Sequence, residues 1–243
     1  MSNQKQGSEA PTNDVEAQAT TEANAEAEQV VVEEVRNATR EEVDESSYWN
    51  QVYAESEDNS PGWNLGEANP EFPFRLANDK PEIAPGKALI VGCGYGHDAL
   101  AFAQAGFDVT ALDFAPMAIA GAKKSFEAAG ASATFLQTSL FDLGRDHDGK
   151  YDYIVEHTCF CAIHPERRAE YAKLVARLLK PSGQLIGLFY HHGREGGPPW
   201  NVTPEEVRAT FEPYFDVRTL TIAQHSVERR EGKELWARFW RKA

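Results

Sequence analysis

The stretch ALIVGCGYGHDALAFAQAGFDVTALDFAP does most to limit what this chain can fold into. A short apolar run breaks into three glycines, Gly92, Gly94 and Gly96, continues with helical spacing, and rises into a second apolar run that ends on Asp113. Glycine supplies positive φ and lets backbone approach a ligand with no Cβ in the way. In a doubly wound sheet, ligands sit beyond the carboxyl ends of the strands, at the first strand-to-helix turn. An acid at the tip of the second strand can take both hydroxyls of a ribose. Strand, glycine turn, helix, strand and acid in this order predict a site for an adenosine-containing cofactor. The plainer alternative is a tight turn, with Asp113 only capping the next helix.

The spacing narrows the cofactor. A dinucleotide fingerprint wants a glycine where this chain has His97, to bring helix and strand together around a pyrophosphate. The order G-x-G-x-G favours a donor without phosphate, S-adenosylmethionine, and tells against a nicotinamide-linked oxidoreductase.

The elements around the turn repeat the alternation. Residues 46–55 carry Tyr48, Trp49, Val52 and Tyr53 at helical spacing, with Ser46 or Ser47 as cap. KALIV, DVTALD, ATFLQ, YDYIVEH and QLIGLFY read as strands. Helices fall over HDALAFAQAG, closed by Gly106, over APMAIAGAKKSFEAA up to Gly130, and over ERRAEYAKLVARLLK, the last stopped by Pro181 and Gly183. Thr203, Pro204 and Glu206 read as N-cap, first helical residue and capping-box partner. FDVRTLTIAQHS and ELWARFWRKA predict a closing antiparallel hairpin across EGK. The expectation is an α/β, Rossmann-like fold: a mostly parallel seven-stranded sheet with a terminal antiparallel hairpin and helices on both faces.

Ahead of this domain the chain changes character. Its first 46 residues hold many acids, few bases and no aromatic residue, a composition that cannot bury enough apolar surface to offset ordering entropy. Residues 1–45 are therefore expected to be a disordered acidic tail, of unknown protein partner, and residues 46–243 the folded domain. Val30–Val35 is too short to stand as a helix alone. With a formal net charge of −14, nucleic acid and anionic membranes are poor partners. No run reaches the roughly 18 apolar residues that span a bilayer, and no secretory leader is visible, so a cytoplasmic protein is expected. Cys93, Cys159 and Cys161 do not suggest a disulfide framework. No metal is expected either, since the pair Cys159 and Cys161 is too closely spaced for zinc and alternate strand residues face opposite ways.

Several segments in register carry a resemblance: VGCGYGHDALAFAQAGFDVTALDFAP, SLFDL, YDYIVEHTCFCAIHPERRAEYAKLVARLLKPSGQLIGLFY and GGPPWNVTPEEV. Together with WNQVYAE, PGWNLGEANP and RREGKELWARFW, they are similar to the thiopurine S-methyltransferase superfamily of class I S-adenosylmethionine-dependent methyltransferases, on its halide/thiol methyltransferase branch. The resemblance implies a class I methyltransferase fold and methyl transfer to a halide or small thiol anion. The alternatives are an aromatic thiol or a selenium or tellurium oxyanion as acceptor, or an inactive cofactor-binding protein. It implies that Trp49, Tyr53 and Trp63 close over the donor, that Gly92, with Gly94, adjoins its methionine portion, and that Asp113 binds the ribose. Ser139 and Leu140, with Asp142 nearby, would border the adenine. His157 is also expected at the donor site; it stands where thiopurine-type members carry Arg and halide-type members an aromatic residue, and Tyr53 where halide-type relatives have Trp.

The chemistry itself asks for little. Methyl transfer from a sulfonium to a soft anion is an in-line displacement that destroys charge and needs no general base; positioning and removal of water are what help. The expected pocket is aromatic and apolar, with Trp49, Trp63, Phe160, Tyr190 and Trp200 as candidates and Trp200 as a lid. Packing is the competing role for each. Glu156 and His157 become candidate bases only for a neutral thiol.

Overall fold

The computed structural model describes residues 37–56, 58 and 60–243. The expected tail, including Val30–Val35, lies outside the described residues up to position 36. Seven strands form one sheet in the order β3-β2-β1-β4-β5-β7-β6. They are β1 (Lys87–Val91), β2 (Asp108–Asp113), β3 (Thr134–Gln137), β4 (Tyr151–His157), β5 (Leu179–Tyr190), β6 (Phe215–Ile222) and β7 (Glu234–Arg241). The first five run parallel, and β7 enters antiparallel between β5 and β6. The fold is the expected mostly parallel α/β sheet closed by an antiparallel pair.

Strand periodicity sorts the core into two layers. Leu89, Val91, Ile154, Leu185, Phe189, Leu235 and Phe239 face the helices α6 (Arg168–Leu178) and α7 (Pro204–Phe211). Ala88, Ile90, Val109, Val155, Ile186 and Trp236 face α3 (Glu71–Asn78), α4 (His97–Gln104) and α5 (Pro116–Ala128). Two further helices, α1 (Arg40–Val43) and α2 (Ser46–Glu55), lie ahead of the sheet in sequence.

Some boundaries differ from the sequence reading. Thr39 caps α1 in a complete capping box, Val43 is buried, and the amide of Ala38 donates to Gly197 at 3.0 Å. Folded structure therefore begins before residue 46. Helix α2 is N-capped at Glu45 with no side-chain hydrogen bond, so neither Ser46 nor Ser47 serves as its cap. Helix α6 stops at Leu178 and the chain is already strand at Leu179, ahead of Pro181. A proline disfavours helical geometry in the residue before it. Pro181 is absorbed where the β4–β5 register shifts between Tyr151 and Tyr153. Only half of the expected capping box at α7 forms: Thr203 Oγ1 accepts from the Glu206 amide at 3.1 Å, while the Glu206 carboxylate is taken by Arg168. The last two strands pair as expected, but across residues 223–233 rather than EGK alone, and this longer connection holds a single turn of 3-10 helix, Glu228–Arg230.

Candidate active site

The glycine turn after β1 has the geometry its sequence predicts. Gly92 and Gly96 hold φ of +58° and +78°, and a Cβ on Gly92 would sit 3.0 Å from Cys159 Sγ. One on Gly96 would lie 3.0 Å from Ala122 Cβ on α5, so the third glycine brings α4 and α5 together. The amide of Gly94 donates to Asp113 Oδ2 at 3.0 Å, and that of Ala115 to Oδ1 at 2.9 Å. Two backbone donors thus fix the Asp113 carboxylate at the tip of β2. Burial raises its pKa, against the pull of these bonds.

Beyond the strand ends opens a cavity of about 730 Å³. Aromatic residues form one wall. Tyr53 and Trp63 meet edge to face at 5.4 Å, Trp63 and Trp49 at 5.7 Å, and Trp63 Nε1 donates to Tyr53 Oη at 3.3 Å. Trp49 Nε1 donates to the Val43 carbonyl at 2.9 Å, so α1 steadies this wall. Asn50 Oδ1 accepts from the Met117 amide at 3.0 Å, fastening α2 to the free first turn of α5. Burial, followed by the nearby Asp113, raises the Tyr53 pKa and keeps its phenol neutral. Ser139 and Leu140 line the next stretch, where Ser139 Oγ accepts from the Phe141 amide at 3.2 Å.

The far end is built by the turn after β4 and by two loops. Thr158, Cys159, Cys161, Ala162, Ile163 and Tyr190 line it, and Arg194, Arg229, Arg230 and Lys233 stand in the same wall. Asp44 and Asp113 are the only acids among the described lining residues. Cys159 and Cys161 share this cavity because β4 ends at His157 and a 3-10 turn, Phe160–Ala162, follows; the strand alternation expected for them does not apply. Burial and then the Glu156 carboxylate push the Cys159 thiol well up and that of Cys161 to about 12. Both are thiols at neutral pH.

Five of the candidates, Phe160, Trp200, Glu156, Gly94 and His157, lie elsewhere. Phe160 is fully buried among Tyr171, Phe189 and Phe211: the turn rotates it into the core layer. Trp200 is not a wall of the cavity. Its amide donates to Cys161 O at 2.8 Å and its ring packs on His164, leaving Pro198 and Pro199 to face the cavity. Glu156 is fully buried beneath the wall; Oε1 accepts from the amides of Cys159 and Phe160 at 3.0 and 2.8 Å, and Oε2 from the Tyr171 hydroxyl at 2.6 Å. It ties the turn down and has no free oxygen for a substrate proton. Gly94 likewise acts behind the wall, through Asp113.

His157 is the fifth, and it leads to residues that the sequence analysis missed. Its Nδ1 donates to Asp98 Oδ2 at 2.6 Å, while Nε2 lies 3.4 Å from Glu234 Oε1 and 3.0 Å from Arg230 Nη1. Burial lowers its pKa, but the two carboxylates outweigh burial and raise it to about 9. The short contact from Arg230 suits a neutral Nε2; with two anions against one cation around the ring, the charged form prevails. Glu234 is also bound by Asn69 Nδ2 at 2.9 Å and Ser226 Oγ at 2.5 Å, and its pKa falls to about 2: burial opposes the shift, and the His157 contact drives it. Arg230 donates to Glu234 Oε1 at 3.2 Å and to the Trp63 carbonyl at 3.0 Å, carrying this cluster to the aromatic wall. Asp98, Glu234, Asn69 and Arg230 have no joint signature in sequence. The pair Arg229-Arg230 in the last connection was the one visible sign.

The comparisons with known proteins agree with this geometry. Residues 44–239 match the family model described as thiopurine S-methyltransferase (TPMT). The chain belongs to this family. It is 33% identical over 217 residues to thiocyanate methyltransferase 1 of Brassica oleracea, covering 86% of this chain and 91% of the relative. It is 31% identical over 199 residues to probable thiol methyltransferase 2 of Arabidopsis thaliana, covering 77% and 88%. Among solved structures, the 1,6-didemethyltoxoflavin-N1-methyltransferase of Burkholderia thailandensis, solved with S-adenosylhomocysteine, superposes with a TM-score of 0.64 at 17% identity, covering 85% of this chain and 92% of that one. The present chain is an S-adenosylmethionine-dependent methyltransferase, and its glycine turn leaves the open cradle beside Asp113 that an adenosine donor requires. Among the described residues, no helix is long and apolar enough to cross a membrane.

Proposed function

We propose that this methyltransferase acts on a small soft anion: a thiolate, thiocyanate or a halide. One observation carries the reading. In a chain with 38 acids and 24 bases, the acceptor end of the cavity is apolar or sulfur-bearing, and four cations stand around it. A soft anion is attracted by such a wall and loses its water against it.

Bound S-adenosylmethionine supplies a methyl group on a positive sulfur. The chain's residues do the rest. Asp113 holds the ribose hydroxyls, Gly92 adjoins the methionine portion, and Ser139 and Leu140 border the adenine. Trp49, Tyr53 and Trp63 close over the donor, and a Trp face toward the sulfonium contributes about 0.5–2 kcal/mol. Tyr190 and the turn after β4 hold the nucleophile opposite the methyl group, and such positioning can supply several kcal/mol of the barrier. An anion brings its own electron pair, which is why neither Glu156 nor His157 is needed as a base. Cys159 and Cys161 stay protonated and do not compete for the methyl group. In the same reading the enzyme is cytoplasmic, and its partners are small anions rather than nucleic acid or membrane.

A second reading has the cavity's size in its favour. At about 730 Å³ it lies in the upper part of the range of small-molecule sites, ~300–1,000 Å³, so an aromatic thiol has room beside the donor. Headspace gas chromatography separates the two. Purified protein with S-adenosylmethionine and iodide, thiocyanate or bisulfide should release methyl iodide, methyl thiocyanate or methanethiol above a no-enzyme control. No volatile product from any of the three, with donor binding shown by calorimetry, would sink the anion reading, and a methylated thiophenol would replace it.

A further inference from the structure

A second cavity, of about 540 Å³, opens at the other end of the sheet. The donor cavity lies beyond the carboxyl ends of the strands; this one lies where β4 and β5 begin and β7 ends. Lys173, Arg177, Arg241 and Lys242 stand in its wall together with Tyr214. Asp148 and the terminal carboxylate of Ala243 are the only anions among its described lining residues. A chain with 38 acids and 24 bases thus gathers four of its bases at one place.

Two elements bring the cations together. Lys173 and Arg177 are four residues apart on α6 and share one face of it. Arg241 and Lys242 come from β7 and the residue after it, and the Lys242 amide donates to the Tyr214 carbonyl at 2.9 Å. Existing partners answer only part of this charge. Arg177 donates to Asp148 Oδ1 at 2.6 Å and to the Leu143 carbonyl at 3.1 Å, and Asp148 is shared with Arg145 at 3.3 Å. Arg241 is half-buried, yet it bonds only the Leu179 carbonyl, through Nη1, and has no acidic partner among the described residues. Lys242 Nζ donates to the Glu212 carbonyl at 2.6 Å, and Lys173 has no hydrogen bond or ion pair among the described residues. Cations in the last turn of a helix answer its dipole, which accounts for Arg177 but not for Arg241 and Lys242. Carbonyls at this end of α6 are also taken: Arg177 O accepts from the Gly149 amide at 3.0 Å, and Val175 O from the Leu179 amide.

We infer that this cavity is a second binding site, for a ligand that carries an oligophosphate group. A cleft lined by one sign of charge focuses its field on a counter-ion. Nε and Nη2 of Arg241 present the planar fork that suits a phosphate, and the ammonium groups of Lys173 and Lys242 act as point charges beside it. A single phosphate leaves much of the wall unanswered, because the volume falls within the range of small-molecule sites, ~300–1,000 Å³. A chain of phosphates, free or borne by a nucleotide, matches both the charge and the space.

Calorimetry on the full chain with sodium tripolyphosphate tests this, in about 0.15 M salt so that distant exposed charges are screened. S-adenosylhomocysteine is kept in excess to fill the donor cavity, whose wall also carries cations. Tripolyphosphate should bind one to one. Lys173→Gln and Arg241→Gln should each weaken it by about tenfold or more, the scale of losing a hydrogen bond to a charged group. Arg145→Gln, which removes an exposed cation outside the wall, should leave the affinity unchanged. Lys173 is exposed and bonded to nothing, so its variant keeps the test alive if Arg241→Gln does not fold. Adenosine triphosphate is run in parallel: tighter binding than tripolyphosphate assigns the site to a nucleotide, and equal or weaker binding to inorganic oligophosphate. No binding of either probe to the wild type overturns the inference. So does an affinity that Lys173→Gln leaves unchanged, or one that Arg145→Gln lowers as much. None of these outcomes touches the acceptor reading above.

Discussion

The donor end of the cavity and the acceptor end are held in shape by different forces. At the donor end, backbone does the work: two amides fix Asp113, glycines without Cβ leave the cradle, and rings stacked edge to face supply a wall. At the acceptor end, buried charge does it. Glu156 ties down a turn with one left-handed residue, whose strain costs about 1–3 kcal/mol, and the Asp98–His157–Glu234–Arg230 cluster supports the connection that brings cations to the wall. On the anion reading proposed above, the contrast suits the two ligands: a donor of fixed shape can be met by local geometry, while a small anion needs charge delivered from several parts of the chain.

Substitutions can break this contrast in order of severity. Glu234→Ala leaves Arg230 and His157 buried without a shared counter-ion, and should cost about 3–5 kcal/mol of stability in urea unfolding. A loss under 1 kcal/mol would mean that the cluster does not hold the acceptor end. Asp113→Ala should leave the fold intact and weaken S-adenosylmethionine binding by about ten- to a hundredfold, the scale of losing hydrogen bonds to a charged group. Unchanged affinity in calorimetry would take Asp113 off the ribose. Glu156→Gln should lower kcat/KM for the acceptor several-fold, with about 1 kcal/mol of stability lost, and leave donor affinity alone; a matching fall in donor affinity would merge the two ends.

The buried cluster also sets a pH window. The His157 pKa is raised from 6.5 to about 9, so its contribution is complete below 6.5 and is lost as pH rises through 9. The Glu234 pKa is lowered from 4.5 to about 2, so its contribution is complete above 4.5 and is lost as pH falls toward 2. Urea midpoints should therefore decline from pH 6.5 to 9 in the wild type and decline less in His157→Gln; parallel curves would exclude the charged ring. The smallest effect is expected at the amino end. Removing residues 1–36 should change turnover by less than about twofold, whereas removing residues 1–45 takes away Val43 and its bond to Trp49, and should weaken donor binding measurably.

The donor end was largely legible because it is local. Gly92, Gly96 and Asp113 fall within one strand–turn–helix–strand unit, and the physical demands on each are met by near neighbours. Trp49, Tyr53 and Trp63 lie outside that unit, and the family resemblance nominated them over the donor. The acceptor end was not. Phe160 and Trp200 were nominated as aromatic walls, and both pack elsewhere, because ring chemistry says nothing about which way a turn faces. His157 was placed at the donor and lies in an ion cluster instead.

By itself, the sequence determined the order of strands and helices and the glycine turn with its acid, since hydrophobic period and backbone sterics act over a few residues. Tertiary structure alone decided that β7 slides between β5 and β6, that Asn69, Asp98, His157, Arg230 and Glu234 meet, and that Thr158 is held left-handed on the cavity wall. Those outcomes depend on which distant segments pair and on where buried charges find partners, and both are settled only when the sheet closes.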